Sequence, residues 1–487
     1  MATPAEEPVP EARKLPSGRV ARTARIGGLA AGQGARWAGM RAANRMRTPE
    51  RALAAEQART AATLHELVDR LSQMRGAAMK VGQMLSLADF DGLPDEQRDE
   101  LQRKFATLRD DVPPVSFASI ERLLRRELGG PLKTFFSEFD ERAFAAASIG
   151  QVHRATTVDG AEVVVKVQYP GVAEAVETDL RNAMLLVPLI KRLAPGLDAR
   201  ALGAEMRERI SEELDYELEA QNQRQIERLL RGHPFMRVPL VHSELSRRRV
   251  LVTDYVVGDR FEAVRTATEP ARDRYAEIVF RFFFGLLYRE RIALGDPHPG
   301  NYLSCPDGGV CFLDFGLVRQ VSRERVSSEA AIALAVRGND PQALKQALVT
   351  AGYLPPERAA ALDASFALRL MRRATSWYAV PGKRRFATAD PADGGPAGGP
   401  AQTGAGRTGE GRTPEHRDGA REQVNQLTLP PEAVLIRRMH GVVAAVLQTL
   451  GAGADWGAIA AEYLHGEPAA SDLGRLEAGF IAGRRAR

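Results

Sequence analysis

Two short segments carry oxygen-bearing side chains at spacings that suit a metal ion and a phosphate. The segment LGDPHPGNYL holds Asp296 and Asn301 five residues apart, and LDFG places Asp314 thirteen residues after Asn301. Carboxylate and amide oxygens are the ligands that Mg²⁺ takes, and the ion neutralises charge on nucleotide phosphates. A turn-rich loop could bring two of these three side chains together by accident, so the interpretation depends on the rest of the chain.

The order and spacing match the metal-binding loops of protein kinases. There, Mg²⁺ is held by the Asp of Asp-Phe-Gly and by an Asn five residues after the catalytic Asp. In this chain Asp314 begins Asp-Phe-Gly, Asn301 is the candidate second ligand, and Asp296 is the candidate base. The turn residues of DPHPGN predict that Asp296 and Asn301 lie outside any helix, where both can face a metal ion.

A third segment supplies the lysine that this chemistry needs. Kinases hold the α- and β-phosphates with a strand lysine, paired with a glutamate on the following helix. Lys166 lies in VVVKVQ, a β-branched run that predicts a strand, although a solvent-facing lysine on an edge strand would give the same pattern. Helical periodicity does not choose the partner within the acid-rich segment EELDYELEA. The candidates there are Glu212, Glu213, Glu217 and Glu219.

The segment that would cover the phosphates departs from the kinase pattern. Kinases place a glycine-rich loop upstream of the lysine, whereas this chain has AFAAASIGQV there. Because a Cβ atom restricts positive φ, we expect this loop to hold a nucleotide in a different pose. No Ala-Pro-Glu follows Asp314, and no His-Arg precedes Asp296. The sequence therefore predicts a kinase architecture with unusual phosphate and substrate contacts.

Residue patterns predict the elements that position these side chains. Two strand-like runs, 149–155 and 162–168, flank a VDG turn. A further strand is predicted within 247–261, ending at Gly258. Apolar residues at helical spacing predict an amphipathic helix over 62–88, which carries MKVGQ. Other helices are predicted near 116–128, from about Val172, from Ala201 through EELDYELEAQN, and over 271–287.

Composition restricts the functional class. The chain has 487 residues and a net charge of +5, which does not indicate a nucleic-acid-binding protein. Residues 1–50 are rich in Arg, Gly, Ala and Pro, which predicts a weakly ordered arm or one attracted to an anionic membrane surface. No window of about eighteen apolar residues predicts a transmembrane helix. Cys305 and Cys311 indicate a reducing compartment and buried positions on a hairpin.

Taken in order, the motifs resemble those of the UbiB family of atypical protein-kinase-like proteins, also called AarF. MKVGQ is similar to that family's KxGQ motif, AAASIGQVHRA to its alanine-rich loop, VVVKVQYPG to its lysine strand, and ELDYELEA to its ExD helix. GDPHPGN and LDFG resemble its catalytic and metal-binding loops. The resemblance runs from about residue 62 to about residue 330, and 429–464 resembles the family's C-terminal helices less sharply.

The resemblance implies roles for individual residues. It implies that Lys166 binds the phosphates of ATP and pairs with Glu219. It also implies that Asn301 and Asp314 hold Mg²⁺, with Asp296 in the place of a catalytic base. The alanine loop and the adenine-contacting hinge are the other implied nucleotide contacts: Ala145, Ala146, Ala147, Ser148, Thr253, Asp254, Tyr255 and Val256.

The same resemblance implies a regulatory extension. In the family, the KxGQ segment folds over the place where a protein substrate would dock, so ATP hydrolysis is expected in place of protein phosphorylation. The residues implied in this regulation are Lys80, Gly82, Gln83, Glu213 and Asp215.

The implied fold is α+β, a bilobal protein-kinase-like fold with an N-terminal helical extension and additional C-terminal helices. The low-complexity composition of 389–422 predicts a linker. The expected division is a basic arm at 1–50, a helical extension at 51–130, an N-lobe at 131–262, a C-lobe at 263–388, a linker at 389–425 and C-terminal helices at 426–487.

The expected function is that of a Mg-dependent atypical kinase or ATPase that supports isoprenoid quinone or related membrane-lipid metabolism. Expected partners are a nucleotide, an anionic membrane surface, and lipids or quinone-pathway enzymes, and the expected location is cytoplasmic with peripheral contact to the inner face of the membrane. Two alternatives stay open: a nucleotide-gated scaffold without turnover, and a small-molecule phosphotransferase. MKVGQ and the alanine-rich segment disfavour the second. The sequence indicates no oligomeric state.

Overall fold

The computed structural model describes residues 115–147, 149–174, 176–177, 212, 214–295, 297–387 and 422–485, with eight isolated positions between 40 and 55. The predicted helix over 62–88 and residues 389–421 of the predicted linker lie outside these ranges. The chain divides into two compact units. Unit 1 contains the described residues up to Gln221 and the segment Val241–Tyr255. Unit 2 contains Asn222–Leu240 and the described residues from Val256 onward.

The described residues form helices and short strands. The helices are α1 (Phe117–Leu128), α2 (Tyr216–Leu230), α3 (Phe261–Arg265), α4 (Glu269–Phe284), α5 (Arg323–Arg337), α6 (Pro341–Thr350), α7 (Ala364–Ala379), α8 (Pro431–Leu450), α9 (Trp456–Leu464) and α10 (Asp472–Arg485). The strands are β1 (Phe136–Phe139), β2 (Ala145–Ala147), β3 (Gly150–Thr157), β4 (Glu162–Gln168), β5 (Met236–Arg237), β6 (Val250–Asp254), β7 (Ile292–Leu294), β8 (Tyr302–Ser304), β9 (Val310–Phe312), β10 (Val318–Gln320), β11 (Arg384–Arg385) and β12 (Gly453–Ala454).

Unit 1 is built on an antiparallel sheet of order β1–β3–β4–β6, with β2 also paired to β3. Val163, Val165 and Val167 of β4 are fully buried in a core that α1 completes. Because side chains alternate along a strand, the residues between these valines point to the other face of the sheet. The prediction of two strands joined by a tight turn is confirmed.

The predicted strand over 247–261 is shorter than expected. Its ladder with β4 ends at the pair formed by Val163 and Asp254, and one further hydrogen bond joins Tyr255 N to Glu162 O (2.9 Å). Because β4 starts at Glu162, the chain from Val256 to Gly258 has no partner strand there. The prediction that the strand ends at Gly258 was therefore wrong.

The predicted helix from Ala201 through EELDYELEAQN is also wrong in one respect. Leu214 and Asp215 are not helical, and α2 begins at Tyr216. The Asp215 carboxylate accepts hydrogen bonds from the backbone N–H groups of Glu217 (3.0 Å) and Leu218 (3.3 Å). A short acidic side chain that binds these amides starts a new helix, because it satisfies donors that have no partner within the helix.

Unit 2 is mainly helical around one large core. The predicted helix over 271–287 is present as α4, which continues as a π-helical turn over Gly285–Arg289. In the core, the Phe282 ring stacks on Phe312 of β9 with centroids 3.5 Å apart. Unit 2 also contains three short sheets. In the first, β5 lies parallel to β9, which pairs antiparallel with β8; in the others, β7 pairs with β10 and β11 pairs with β12. The predicted hairpin before Asp-Phe-Gly is therefore confirmed.

Among the described residues, α8 is long and apolar enough to cross a membrane by length and composition. Half of its apolar window is buried in the structure, and Ile436, Met439 and Val443 lie in the core of unit 2. A buried core helix meets the same two criteria, because it is apolar on most of its surface. The helix therefore gives no clear sign of a membrane span.

Candidate nucleotide and metal sites

Lys166 and Glu219 form an ion pair in unit 1. The Lys166 Nζ lies 2.8 Å from Glu219 Oε1 and 3.0 Å from Oε2, so both carboxylate oxygens accept from the ammonium group. The Glu219 side chain is 5% exposed, whereas that of Lys166 is 24% exposed. Lys166 Nζ also lies 4.9 Å from the centroid of the Tyr216 ring. Of the four glutamates that the sequence left open, the structure pairs Glu219 with the lysine.

Strand register defines the surface around this lysine. Val152 of β3 is directly opposite Lys166, and Ala145 of β2 is opposite Val152. Val164 of β4 is paired with Thr253 of β6. Directly opposed residues of antiparallel strands share a face, and all five of these residues are half-buried. Lys166 therefore lies on a partly open, largely apolar face of the sheet.

Sequence reasoning missed Val152 and Val164. The run VVVKV contains valines on both faces of β4, and nothing in the letters distinguishes the buried Val163 from the half-buried Val164. Only the strand register assigns each valine to a face. A purine ring buries its flat surfaces against apolar side chains, which makes these two valines candidates for nucleotide contacts.

The alanine-rich segment was expected to be a loop, and this is wrong for most of it. Ala145, Ala146 and Ala147 form β2, which pairs with β3 so closely that Ala147 is opposite Gly150. A Cβ atom added to Gly150 would lie 2.2 Å from the Val167 carbonyl oxygen, so glycine is required there. Small side chains allow this tight hairpin to form. Ser148 lies outside the described residues.

The predicted hinge follows the sheet directly. Thr253 and Asp254 are the last residues of β6, and Tyr255 and Val256 follow it outside any helix or strand. The Asp254 carboxylate lies 2.9 Å from the Nε2 atom of His242, within unit 1. Backbone N–H and C=O groups just beyond a strand end can bind the edge of a base.

The two candidate metal ligands lie together in unit 2. Asn301 Nδ2 lies 3.5 Å from Asp314 Oδ2, and Asp314 Oδ1 accepts a 2.9 Å hydrogen bond from Gly316 N. The Leu313 amide also donates to the Asn301 carbonyl (3.0 Å), which holds the two loops in register. Asn301 was expected to lie outside any helix, but it ends a one-turn 3₁₀ helix over Pro299–Asn301. Two prolines and a glycine in DPHPGN still prevent an α-helix there.

These two side chains fit Mg²⁺ as a ligand set. In the described ranges, no group of three or more His, Cys, Asp or Glu side chains could hold a metal ion. Mg²⁺ commonly takes only one or two protein oxygens and completes its shell with phosphate and water. A carboxylate next to a side-chain amide matches that requirement, because a rotated Asn301 amide offers its oxygen on the same side as Asp314.

Several predicted residues lie outside the described part of the chain. Asp296 is one of them, but Gly295 before it is fixed by a 2.8 Å hydrogen bond from its amide to Leu317 O. A Cβ on Gly295 would overlap the Leu317 side chain, so this close approach of β7 and β10 requires glycine. The other predicted site residues that the structure does not describe are Lys80, Gly82, Gln83, Ser148 and Glu213.

Asp215 is described, and its observed contact is the cap of α2. Its second oxygen lies 3.9 Å from Arg248 Nε. The residue thus fixes the start of the helix that carries Glu219. Its predicted regulatory role stays a prediction.

The two cysteines are buried and unbridged, as the sequence predicted. Burial raises the pKa of the Cys305 thiol and that of the Cys311 thiol. Both therefore stay protonated near neutral pH, and a protonated thiol is a poor metal ligand. The hairpin next to Asn301 offers oxygen ligands and no thiolates.

Comparison with known proteins identifies the family. Residues 107–348 match the model of the ABC1 atypical kinase-like domain. The rat protein "Atypical kinase COQ8B, mitochondrial" is 33% identical over 316 residues, which cover 64% of this chain and 59% of the rat protein. The Mycobacterium tuberculosis protein "Uncharacterized protein Rv0647c" is 32% identical over 345 residues, which cover 68% of this chain and 70% of that protein.

A solved structure supports the same fold. The Mycobacterium tuberculosis protein Rv3197, determined in complex with erythromycin, aligns with a TM-score of 0.59 and 29% identity over 82% of this chain and 95% of that one. The α+β kinase-like fold predicted from the motifs is thereby confirmed. The motif resemblance, the domain match and the relatives agree, and the chain belongs to the ABC1 family of atypical kinase-like proteins, the family that UbiB represents.

Proposed function

We propose that this protein is an atypical kinase or ATPase that binds ATP with Mg²⁺ and supports isoprenoid quinone or related membrane-lipid metabolism. The observation that carries the proposal is the Lys166–Glu219 ion pair on a partly open sheet face. Kinases use a strand lysine that a buried glutamate orients to hold the α- and β-phosphates. The family membership supports the same assignment.

The proposed nucleotide contacts follow from the register of the unit 1 sheet. Val152 and Val164 would pack against the purine ring, since both are apolar and half-buried on the face that carries Lys166. The backbone of residues 253–256 would bind the edge of the base. Lys166 would bind phosphate oxygens, with its ammonium group oriented by Glu219.

The proposed metal and acid–base roles belong to unit 2. Asn301 and Asp314 would hold Mg²⁺, whose charge stabilises the phosphates when it is bound. Asp296 would accept the proton of the attacking water or hydroxyl group. The last assignment rests on the family motif GDPHPGN, because Asp296 lies outside the described residues.

The proposed lipid role rests on the family and on the basic composition of residues 1–50. Seven arginines between positions 19 and 47 would attract the chain to anionic lipids, with an affinity that falls as salt screens the charges. The proposed location is the cytoplasmic side of a membrane. The rat relative is named as mitochondrial, and this chain spans 59% of its length.

The test is ATP hydrolysis by the full chain as a function of Mg²⁺, with and without phosphatidylglycerol vesicles. We expect vesicles to raise hydrolysis and Asp314→Asn to lower it by about 100-fold, because a metal ligand is lost. The matched control is Asp307→Asn in the same hairpin. Asp307 accepts a hydrogen bond from the Gly309 amide (3.0 Å), which asparagine can also accept, and its ion pair with Arg237 is half-exposed and contributes little, so hydrolysis should stay unchanged.

Each other outcome has a defined meaning. Mg-dependent nucleotide binding without hydrolysis, with or without vesicles, would replace the enzyme proposal with a nucleotide-gated scaffold. No nucleotide binding would overturn the proposal entirely. Equal losses in Asp314→Asn and Asp307→Asn would show that the hairpin, and not the metal ligand, determines activity.

A small-molecule phosphotransferase is the second candidate. It is favoured by one comparison, since the Rv3197 structure contains erythromycin and this chain covers 95% of that protein. The hydrolysis assay should therefore include an arm with erythromycin, analysed by mass spectrometry. A phosphorylated macrolide would favour this second function over the lipid-linked one.

A further inference from the structure

Asn222 of α2 makes a contact that neither the motifs nor the comparisons assign to it. Its Nδ2 donates a 3.0 Å hydrogen bond to the carbonyl oxygen of Phe315, the middle residue of Asp-Phe-Gly. Both residues belong to unit 2. The Phe315 side chain is 1% exposed and lies in the core of that unit, so the backbone is anchored beside the contact.

The hydrogen bond fixes the orientation of one peptide plane. The Phe315 carbonyl and the Gly316 N–H belong to the same planar trans peptide unit, so the two groups point in opposite directions. With the carbonyl held by Asn222, the N–H is directed to the other side. There it donates to Asp314 Oδ1 at 2.9 Å.

This second bond determines how the Asp314 carboxylate is presented. One oxygen is occupied by the Gly316 amide, and the other faces Asn301 at 3.5 Å. A chain of contacts thus runs from Asn222 through a single peptide plane to the proposed metal ligands. Rotation of that plane would remove the donor from Asp314 and release its carboxylate.

We infer that Asn222 is a positioning residue that sets the Asp314 carboxylate for a divalent cation. The inference rests on the proposed function, because it assigns Asp314 to the metal. Groups that orient a metal ligand through hydrogen bonds commonly change the affinity for the metal by about 10- to 100-fold when they are removed.

The neighbouring residue on α2 provides a matched control. Gln223 also has a side-chain amide, and its Nε2 donates a 2.8 Å hydrogen bond to the carbonyl of Pro239. Gln223 is 1% exposed, so its bond is at least as well buried as that of Asn222. The Pro239 carbonyl does not belong to the peptide plane that binds Asp314. Loss of either hydrogen bond should lower the stability of the fold, but only loss of the Asn222 bond should lower the affinity for the metal ion.

The experiment compares Asn222→Leu with Gln223→Leu in the full chain. Mn²⁺ serves as the probe for Mg²⁺, and its binding is measured by electron paramagnetic resonance, alone and with ADP. We expect Asn222→Leu to weaken Mn²⁺ binding about 10-fold or more and Gln223→Leu to leave it within about 2-fold, at similar losses of melting temperature. Asp314→Asn gives the reference for a lost ligand.

Asn222→Asp is the second variant, because it keeps the size of the side chain and replaces the donor with an acceptor that faces the Phe315 carbonyl. It should weaken Mn²⁺ binding at least as much as Asn222→Leu. The inference is overturned if the Asn222 and Gln223 variants lose the same affinity for Mn²⁺ for the same loss of stability. It is also overturned if Asn222→Asp binds Mn²⁺ as tightly as the wild type. If the wild-type chain binds neither Mn²⁺ nor nucleotide, the proposed function fails first and the inference fails with it.

Discussion

Two charged clusters, one in each unit, differ in how completely they are buried. In unit 2, Arg281 of α4 is fully buried and contacts three carboxylates. Its Nε lies 2.7 Å from Glu277, its Nη2 2.8 Å from Glu462, and its Nη1 3.0 Å from Glu477. Because these acids belong to α4, α9 and α10, the arginine joins three helices in one core.

The Lys166–Glu219 pair of unit 1 has a different character. Its lysine remains 24% exposed on a sheet face lined by half-buried apolar residues. A buried, fully paired charge serves structure, since removing one partner leaves the others uncompensated. A partly open ion pair can instead rearrange around an incoming anion at small cost. The comparison indicates that burial separates structural charge from charge available to a ligand.

The largest effect is expected for Arg281→Met. The change leaves three buried carboxylates without their common partner, and it should lower the free energy of unfolding by about 3–5 kcal/mol. Urea denaturation measures the loss. The control is Arg475→Met on α10, whose ion pair with Asp472 is mostly exposed, and it should change stability by less than about 0.5 kcal/mol. Equal losses in both variants would contradict the assignment of the Arg281 cluster to the core.

A pH effect of intermediate size is expected beside the same cluster. Burial lowers the pKa of His233 to about 4, while Glu477 acts in the opposite direction. In the unfolded chain this histidine binds the proton more tightly, with a pKa of about 6.5. Its contribution to the free energy of unfolding should therefore be fully present above that pH and should be lost as the pH drops towards 4. The loss from this group should reach about 3 kcal/mol.

His233→Asn tests the origin of that pH dependence. The His233 Nδ1 accepts from the backbone amides of Phe235 and Met236, and an asparagine oxygen can accept in the same place without titrating. Urea denaturation between about pH 4 and 7 should therefore show that the free energy of unfolding depends less steeply on pH in the variant than in the wild type. A slope equal to that of the wild type would assign the acid sensitivity to other groups.

The smallest effect on stability, and the largest on ligand binding, is expected for Lys166→Met. The change removes Lys166 from the nearly buried Glu219 carboxylate, so the free energy of unfolding should fall by about 1–3 kcal/mol, less than for Arg281→Met, and ATP affinity should fall about 10-fold or more. Isothermal titration calorimetry measures the affinity for ATP, and urea denaturation measures the free energy of unfolding. A variant that loses as much stability as Arg281→Met and keeps its affinity would show that Lys166 is structural, which would remove the distinction between the clusters.

Much of the candidate site could be predicted from the sequence. The motifs around Lys166, Asn301 and Asp314 are local, since each depends on a few adjacent residues with strong preferences for strand or turn. The interruption before α2 was missed, because the capping contact of Asp215 competes with a helical pattern that continues on both sides. The paired strand at Ala145–Ala147 was missed for a similar reason, since alanine has little β preference of its own and pairs there because β3 is its neighbour.

By itself, the sequence determined the family and the kinase-like fold, because local motifs in a fixed order specify both, and it predicted the residues of the proposed site. Helical periodicity left the partner of Lys166 open, and the structure pairs it with Glu219, the residue that the family resemblance implied. Only the tertiary structure decided which valines of β4 face outward and that Asn222 holds the Phe315 carbonyl. These outcomes depend on strand register and on contacts between residues up to 93 positions apart. Such contacts leave no periodic trace in the sequence, since each is set by packing between elements and not by the preferences of the residues within one element.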